Sequence, residues 1–83
     1  MYYIFSFRSR NQSICFFECA AKAGVSAKLI NTPRVISIGC GLSVKVAAAH
    51  IDAAYKILNT KRYTTFLGLF YYNGSKVVRV EDK

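Results

Sequence analysis

The 83-residue chain has no tryptophan, one methionine, one proline, one histidine and only four acidic side chains. One histidine and four carboxylates, with no metal-type cluster, make a poor zinc or iron site, so no metal and no cofactor is expected. The three cysteines, Cys15, Cys19 and Cys40, are odd in number and follow no Cys-x-x-Cys spacing. That argues against a disulfide scaffold and makes reduced thiols the expectation. No apolar run approaches the roughly 20 uncharged residues of a membrane span. The apolar opening meets Arg8 and Arg10 directly, whereas a secretory leader carries its positive charge before the apolar stretch. The expectation is a soluble cytoplasmic protein with no membrane partner. No hydrolase triad is visible, and the glycines form neither a Gly-x-Gly-x-x-Gly nor a P-loop pattern.

Hydrophobic residues make up 53% of the chain, with six tyrosines and six phenylalanines. That is a folded composition, and the length fits one domain, residues 1–83, which buries roughly 60% of its unfolded surface. Twelve Lys and Arg against four Asp and Glu give +8, which favours acidic partners. Only Lys61 and Arg62 are adjacent, so the charge reads as a solvated basic surface.

Tyr2 to Phe7, dense in aromatic and β-branched residues, predicts a first strand. Ser9 or Asn11 then caps a helix to Ala23, and Gly24 supplies its left-handed stop. At 100° per residue Gln12, Ser13, Phe16, Cys19, Ala20 and Ala23 share one side, opposite Asn11, Glu18 and Lys22. Cys15 and Cys19 read as helix-packing residues, since neither has a basic sequence neighbour. Residues 25–31 predict a second strand, ended by Thr32-Pro33. Residues 42–46 predict a third, 47–59 a helix with Ile51, Ala54, Tyr55 and Leu58 inward, and 63–72 a fourth strand. Asn73-Gly74 is a two-residue hairpin signal returning into residues 77–80. The order is βαββαβ plus one strand. It predicts an α+β, ferredoxin-like sandwich with both helices on one sheet face and an additional C-terminal hairpin strand. The other face has little to make it polar, so a homodimer through the sheet or the hairpin strand is expected.

Cys40 stands between Gly39 and Gly41, with no neighbouring side chains to shield it. A thiolate is the form that attacks a persulfide, and cations favour it. Arg34, across a short loop stiffened by Pro33, is the candidate helper. Lys45, Arg8 and Arg10 are further cations. The competing reading makes Cys40 a half-buried strand residue whose glycines serve a bulge or turn. His50, the single histidine, reads as a packing or exposed residue.

The strand Tyr3-Ile-Phe-Ser-Phe, the helix-ending pair Ala23-Gly24, the strand end Thr32-Pro33-Arg34 and the pair Cys40-Gly41 occur in a shared order. On these residues, up to about Val46, the chain resembles the family of small selenium/sulfur carrier-like proteins. The resemblance implies a carrier, not a turnover enzyme, that takes sulfur or selenium on Cys40 as a persulfide or selenosulfide. Donor and acceptor proteins would be its partners. Around the thiol, Arg34 would act electrostatically, and Gly39, Gly41, Thr32, Pro33 and Lys45 would form the binding surround. The chain lacks the Cys-Pro-x-Pro motif of sulfur-relay carriers.

The alternative is a non-catalytic binding module, either RNA-binding or a dimeric regulatory or scaffold domain. RNA-recognition domains stack bases on sheet aromatics, and Tyr3, Phe5, Phe66, Phe70, Lys45 and Arg79 are the candidates here. The third strand, Leu-Ser-Val-Lys-Val, lacks the Lys/Arg-Gly-Phe/Tyr-Gly/Ala-Phe signature of such domains.

Overall fold

The computed structural model describes residues 1–33, 41–61 and 63–80. The elements are β1 (Tyr2–Phe7), α1 (Arg10–Lys22), β2 (Ala27–Asn31), β3 (Leu42–Ala47), α2 (Ile51–Thr60), β4 (Phe66–Tyr72) and β5 (Val77–Arg79). A single 3-10 turn, Ala48–His50, leads into α2. The architecture is α+β. Five strands form one sheet in the order β2-β3-β1-β4-β5, and every neighbouring pair is antiparallel.

Ser9, in extended conformation, caps α1 by accepting from the Gln12 N–H at 3.3 Å. At the other end Gly24 takes φ +81°, the Val25 N–H reaches Ala20 O at 2.9 Å and the Gly24 N–H reaches Ala21 O at 3.1 Å. These paired bonds are a Schellman stop, whose apolar contact sits between the last turn and the residue after the glycine. Val25 fills that role and is buried beside Ala20. This is why β2 begins at Ala27 and not at residue 25 as the pattern predicts.

Phe5 and Phe7 of β1, Val44 and Val46 of β3, Phe16 and Ala20 of α1 and Ala54 of α2 form one buried cluster. Both helices therefore contribute to the same core. Phe16 is its hub, with ring centroids 4.8 Å from Phe5, 5.5 Å from Phe7 and 5.8 Å from Tyr63. Ile51, Tyr55 and Leu58 pack against the cluster from α2, while Asp52, Lys56 and Asn59 are exposed. The helix starts four residues later than expected because β3 runs on to Ala47 and the 3-10 turn makes the corner.

β4 also starts late. Tyr63 to Thr65 form a turn that α1 holds from the side. Gln12 Oε1 accepts from the Thr65 N–H at 3.0 Å and from its hydroxyl at 2.7 Å, and Gln12 Nε2 donates to Thr64 Oγ1 at 3.1 Å. At the far end, the β4–β5 loop spans residues 73–76, not two residues. Asn73 Oδ1 accepts from the backbone N–H of Ser75 at 3.1 Å and of Lys76 at 2.9 Å. Such an Asx turn satisfies two loop donors and favours the wider connection. No helix among the described residues is long and apolar enough to cross a membrane.

Candidate functional site

The Thr32-Pro33 and Cys-Gly signatures flank the connection between β2 and β3, so the ends of that connection define the site. Asn31 pairs with Leu42 at the end of the β2–β3 ladder. One residue further out, the Thr32 N–H donates to Gly41 O at 3.1 Å, closing the base of the connection. A Cβ at Gly41 would lie 3.3 Å from Thr32 Oγ1 and 3.7 Å from Phe7 O. The glycine therefore lets Thr32 and the end of β1 approach closely.

Behind this closure runs a row of hydroxyls. Thr32 Oγ1 bonds Ser43 Oγ at 2.7 Å, and Ser43 Oγ bonds Ser6 Oγ at 2.9 Å. Ser43 and Ser6 are 0% exposed. From α1, buried Ser13 donates to Leu42 O at 2.6 Å. Three strands and a helix thus grip the two chain ends from which the signature segment emerges. Thr32, Gly41 and Pro33 are the expected site residues that fall here. Cys40, Arg34 and Gly39 lie outside the described residues. The serines were not singled out in the sequence. Their signal was two serines, Ser6 and Ser43, inside otherwise apolar strands, and Ser13 on the inward side of α1.

Lys45 stands two residues on from Ser43, opposite Ile4 on one side and Lys28 on the other. Its Nζ lies 4.6 Å from the centre of the Tyr2 ring, which stacks on Tyr72 at 5.0 Å. Like charges placed directly opposite across strands disfavour each other. The Tyr2 ring gives one of the two ammonium groups a favourable seat. A pocket of about 290 Å³ opens there, bordered by Tyr2, Ser26, Lys28 and Lys45.

The stacking set expected for RNA is corrected by the register. Tyr3, Phe5 and Phe66 lie on the helix side, in or against the core cluster. A bulge is the reason for Phe66. The β1–β4 register shifts between Ser6 and Phe7, so Phe7 pairs with Phe66 while Ser6 pairs with Gly68. The extra residue flips side-chain parity, and Phe66 faces the helices while Phe70 faces away. The aromatics on the face away from the helices are Tyr2, Phe70 and Tyr72. Arg79 lies over that face, its guanidinium 5.6 Å from the Phe70 ring and against Gly68. Ile4 between Lys45 and Phe70 is buried, so this face is less bare than its sequence implies.

The helical cysteines also differ from expectation. Lys61, at the end of α2, donates from Nζ to Cys15 Sγ at 3.6 Å, giving Cys15 the basic neighbour that sequence adjacency did not. The Lys61 pKa is raised, first by the charge of Cys15 and then by hydrogen bonding to Cys19. Tyr63 has its hydroxyl buried, with no hydrogen bond of regular geometry among the described residues. Its pKa is raised, first by burial and then by the nearby Cys15 and Cys19. His50 is half-buried, and its Nδ1 accepts from the Ser26 N–H at 2.8 Å, joining the α2 corner to the start of β2. The described residues hold no cluster of three or more His, Cys, Asp or Glu placed for a metal ion.

The chain is an antiparallel α+β domain whose β2–β3 connection is closed at its base by Thr32 and Gly41. Residues 2–66 match the family described as "Putative Se/S carrier protein-like", and the chain belongs to that family. No curated protein and no solved structure matches it.

Proposed function

We propose that this protein is a cytoplasmic, thiol-based carrier of sulfur or selenium, loaded on Cys40. The observation that carries the reading is family membership across residues 2–66, a span that includes Thr32-Pro33-Arg34 and Gly39-Cys40-Gly41. In uptake, the Cys40 thiolate bonds the outer sulfur of a donor persulfide, and the donor leaves as its thiolate. In delivery, an acceptor thiolate takes that sulfur and Cys40 is released. Arg34 favours the thiolate by its charge, and the flanking glycines add no side chain beside the thiol. The Thr32–Gly41–Ser43 closure supports this reading because it fixes both ends of the carrier segment. The strand order β2-β3-β1-β4 supports assigning the fold as a ferredoxin-like sandwich, with β5 as the added strand.

The test uses Cys15→Ala/Cys19→Ala protein, whose single thiol is Cys40. Incubated with a cysteine desulfurase and cysteine, it should gain one reducible sulfur, mapped to the Cys40 peptide. No gain, with the desulfurase itself loaded, overturns the carrier reading.

The Lys28–Lys45 pair beside the Tyr2–Tyr72 stack favours a second reading, binding of an anionic ligand or single-stranded RNA at that edge. Salt-dependent binding lost in Lys45→Ala supports it, and unchanged binding refutes it. A homodimer is proposed through the outer edge of β5, where Val78 is 48% exposed. Sedimentation measures it, and a monomer at high concentration refutes it.

A further inference from the structure

The second thiol site is on α1. Cys15 and Cys19 are one helical turn apart, both half-buried, and exposed Lys61 bridges from the end of α2. A third group points to the same place, the buried Tyr63 hydroxyl with no regular partner among the described residues. We propose that Cys15 is a nucleophilic thiol that exchanges with the sulfur–sulfur bond of a small anionic disulfide.

Lys61 holds a positive charge 3.6 Å from the attacking sulfur. A cation at that distance pairs with the negative charge the sulfur carries in the exchange. The same ammonium, on a chain of net charge +8, attracts a carboxylate-bearing disulfide. Tyr63, whose pKa is raised, stays protonated at neutral pH and keeps its O–H available as a donor to sulfur. In the exchange the Cys15 thiolate bonds one sulfur of the disulfide and the sulfur–sulfur bond breaks. The electron pair leaves on the other sulfur as a thiolate, which takes a proton from water. Cys15 ends oxidised as a mixed disulfide, and the small disulfide is reduced by one thiol.

Cys19 does not discharge that product while α1 stays helical. Residues four apart on a helix have Cβ atoms about 5–6 Å apart, and a disulfide needs about 3.5–4.5 Å. The adduct therefore persists until an external thiol removes it. The site is a place of reversible modification, chemically separate from loading at Cys40.

The experiment uses full-length Cys40→Ala protein, so its failure leaves the carrier reading intact and the reverse also holds. Incubation with glutathione disulfide should place one glutathionyl group on Cys15, located by peptide mass spectrometry and removed by dithiothreitol. Adding Lys61→Gln should slow the reaction about threefold or more at pH 7, and Lys61→Arg should restore it. In urea, where the packing is lost, Cys15 and Cys19 should react alike. The proposal is overturned by an adduct mainly on Cys19, by no adduct, by an unchanged rate in Lys61→Gln, or by a Cys15 preference that survives in urea.

Discussion

Replacing Ser43 by alanine tests whether the hydroxyl row secures the base of the signature segment. Ser43 makes two hydrogen bonds, to Thr32 at 2.7 Å and to Ser6 at 2.9 Å. A neutral bond of this kind contributes about 1 kcal/mol net, and a buried hydroxyl left without a partner costs about 1–3 kcal/mol. Ser6 is 0% exposed, so water does not replace its partner. Thr32 is half-buried and recovers part of its loss from solvent. The expected cost is therefore about 2–3 kcal/mol, or a fall in Tm of about 10–20 °C for a domain this size. Urea denaturation with constant m-value gives the number. Ser6→Ala/Ser43→Ala should cost less than the sum of the two single variants, by about 1 kcal/mol, because no orphaned hydroxyl remains between them. Hydrogen exchange of the Thr32 amide, bonded to Gly41 O, should accelerate in Ser43→Ala. A loss below about 0.5 kcal/mol, or strict additivity in the cycle, refutes the account.

Phe16→Ala removes the ring that touches Phe5, Phe7 and Tyr63. It should cost about 3–5 kcal/mol, and a Tm within a few degrees of the parent would contradict Phe16 as the hub of the core. Lys28→Glu turns the Lys28–Lys45 pair attractive and should stabilise the sheet by about 0.5 kcal/mol, read by urea denaturation. A destabilised variant would show that the two ammonium groups do not repel across the strands. Tyr63, with its folded pKa raised above the ordinary 10.0, contributes stability that is present below pH 10 and lost as pH rises beyond it. Tyr63→Phe should therefore show a shallower alkaline loss of Tm than the parent, and identical alkaline slopes refute the burial of that hydroxyl.

Periodicity made the element order and the α2 stripe legible, and on α1 it placed Ser13, Phe16 and Ala20 inward, while Ala23, expected on that side, is exposed past the helix end. Which face of β1 meets the helices was not legible. Tyr3-Phe5-Phe7 and Tyr2-Ile4-Ser6 are both apolar enough to be buried, and Phe5, Ile4 and Ser6 are all within 1% of complete burial. The β4 bulge then defeated parity outright, since it depends on pairing with β1 and not on any residue of β4 alone. The Cys40 signature stood out by its glycines. The Cys15–Lys61 contact spans 46 positions of sequence and exists only because α2 ends against α1. The three site serines illustrate the same limit. A serine in an apolar strand looks like a weakness until its partner on another strand is known.

The charge balance closes the physical account. Among the described residues no Lys or Arg forms a salt bridge with a carboxylate. Lys45 sits on a tyrosine ring, Arg79 lies over Phe70 and donates to Leu67 O at 3.4 Å, and Lys61 contacts a thiol. These contacts orient the cations without neutralising them, and the described residues carry nine Lys and Arg against two carboxylates, Glu18 and Asp52. Self-repulsion of that kind weakens the folded state, and it is screened over about 10 Å at 0.1 M salt but about 30 Å at 0.01 M. Charges on opposite faces of a body measuring 28 × 25 × 25 Å therefore sense one another only at the lower salt. Tm should rise as sodium chloride increases from 0.01 to about 0.15 M and then level off. Sulfate should raise it further at equal ionic strength if the Lys28–Lys45 edge binds anions, and Lys28→Glu should remove that extra increment. A Tm that falls with salt would mean that attraction dominates the surface, and the uncompensated-charge argument would fail.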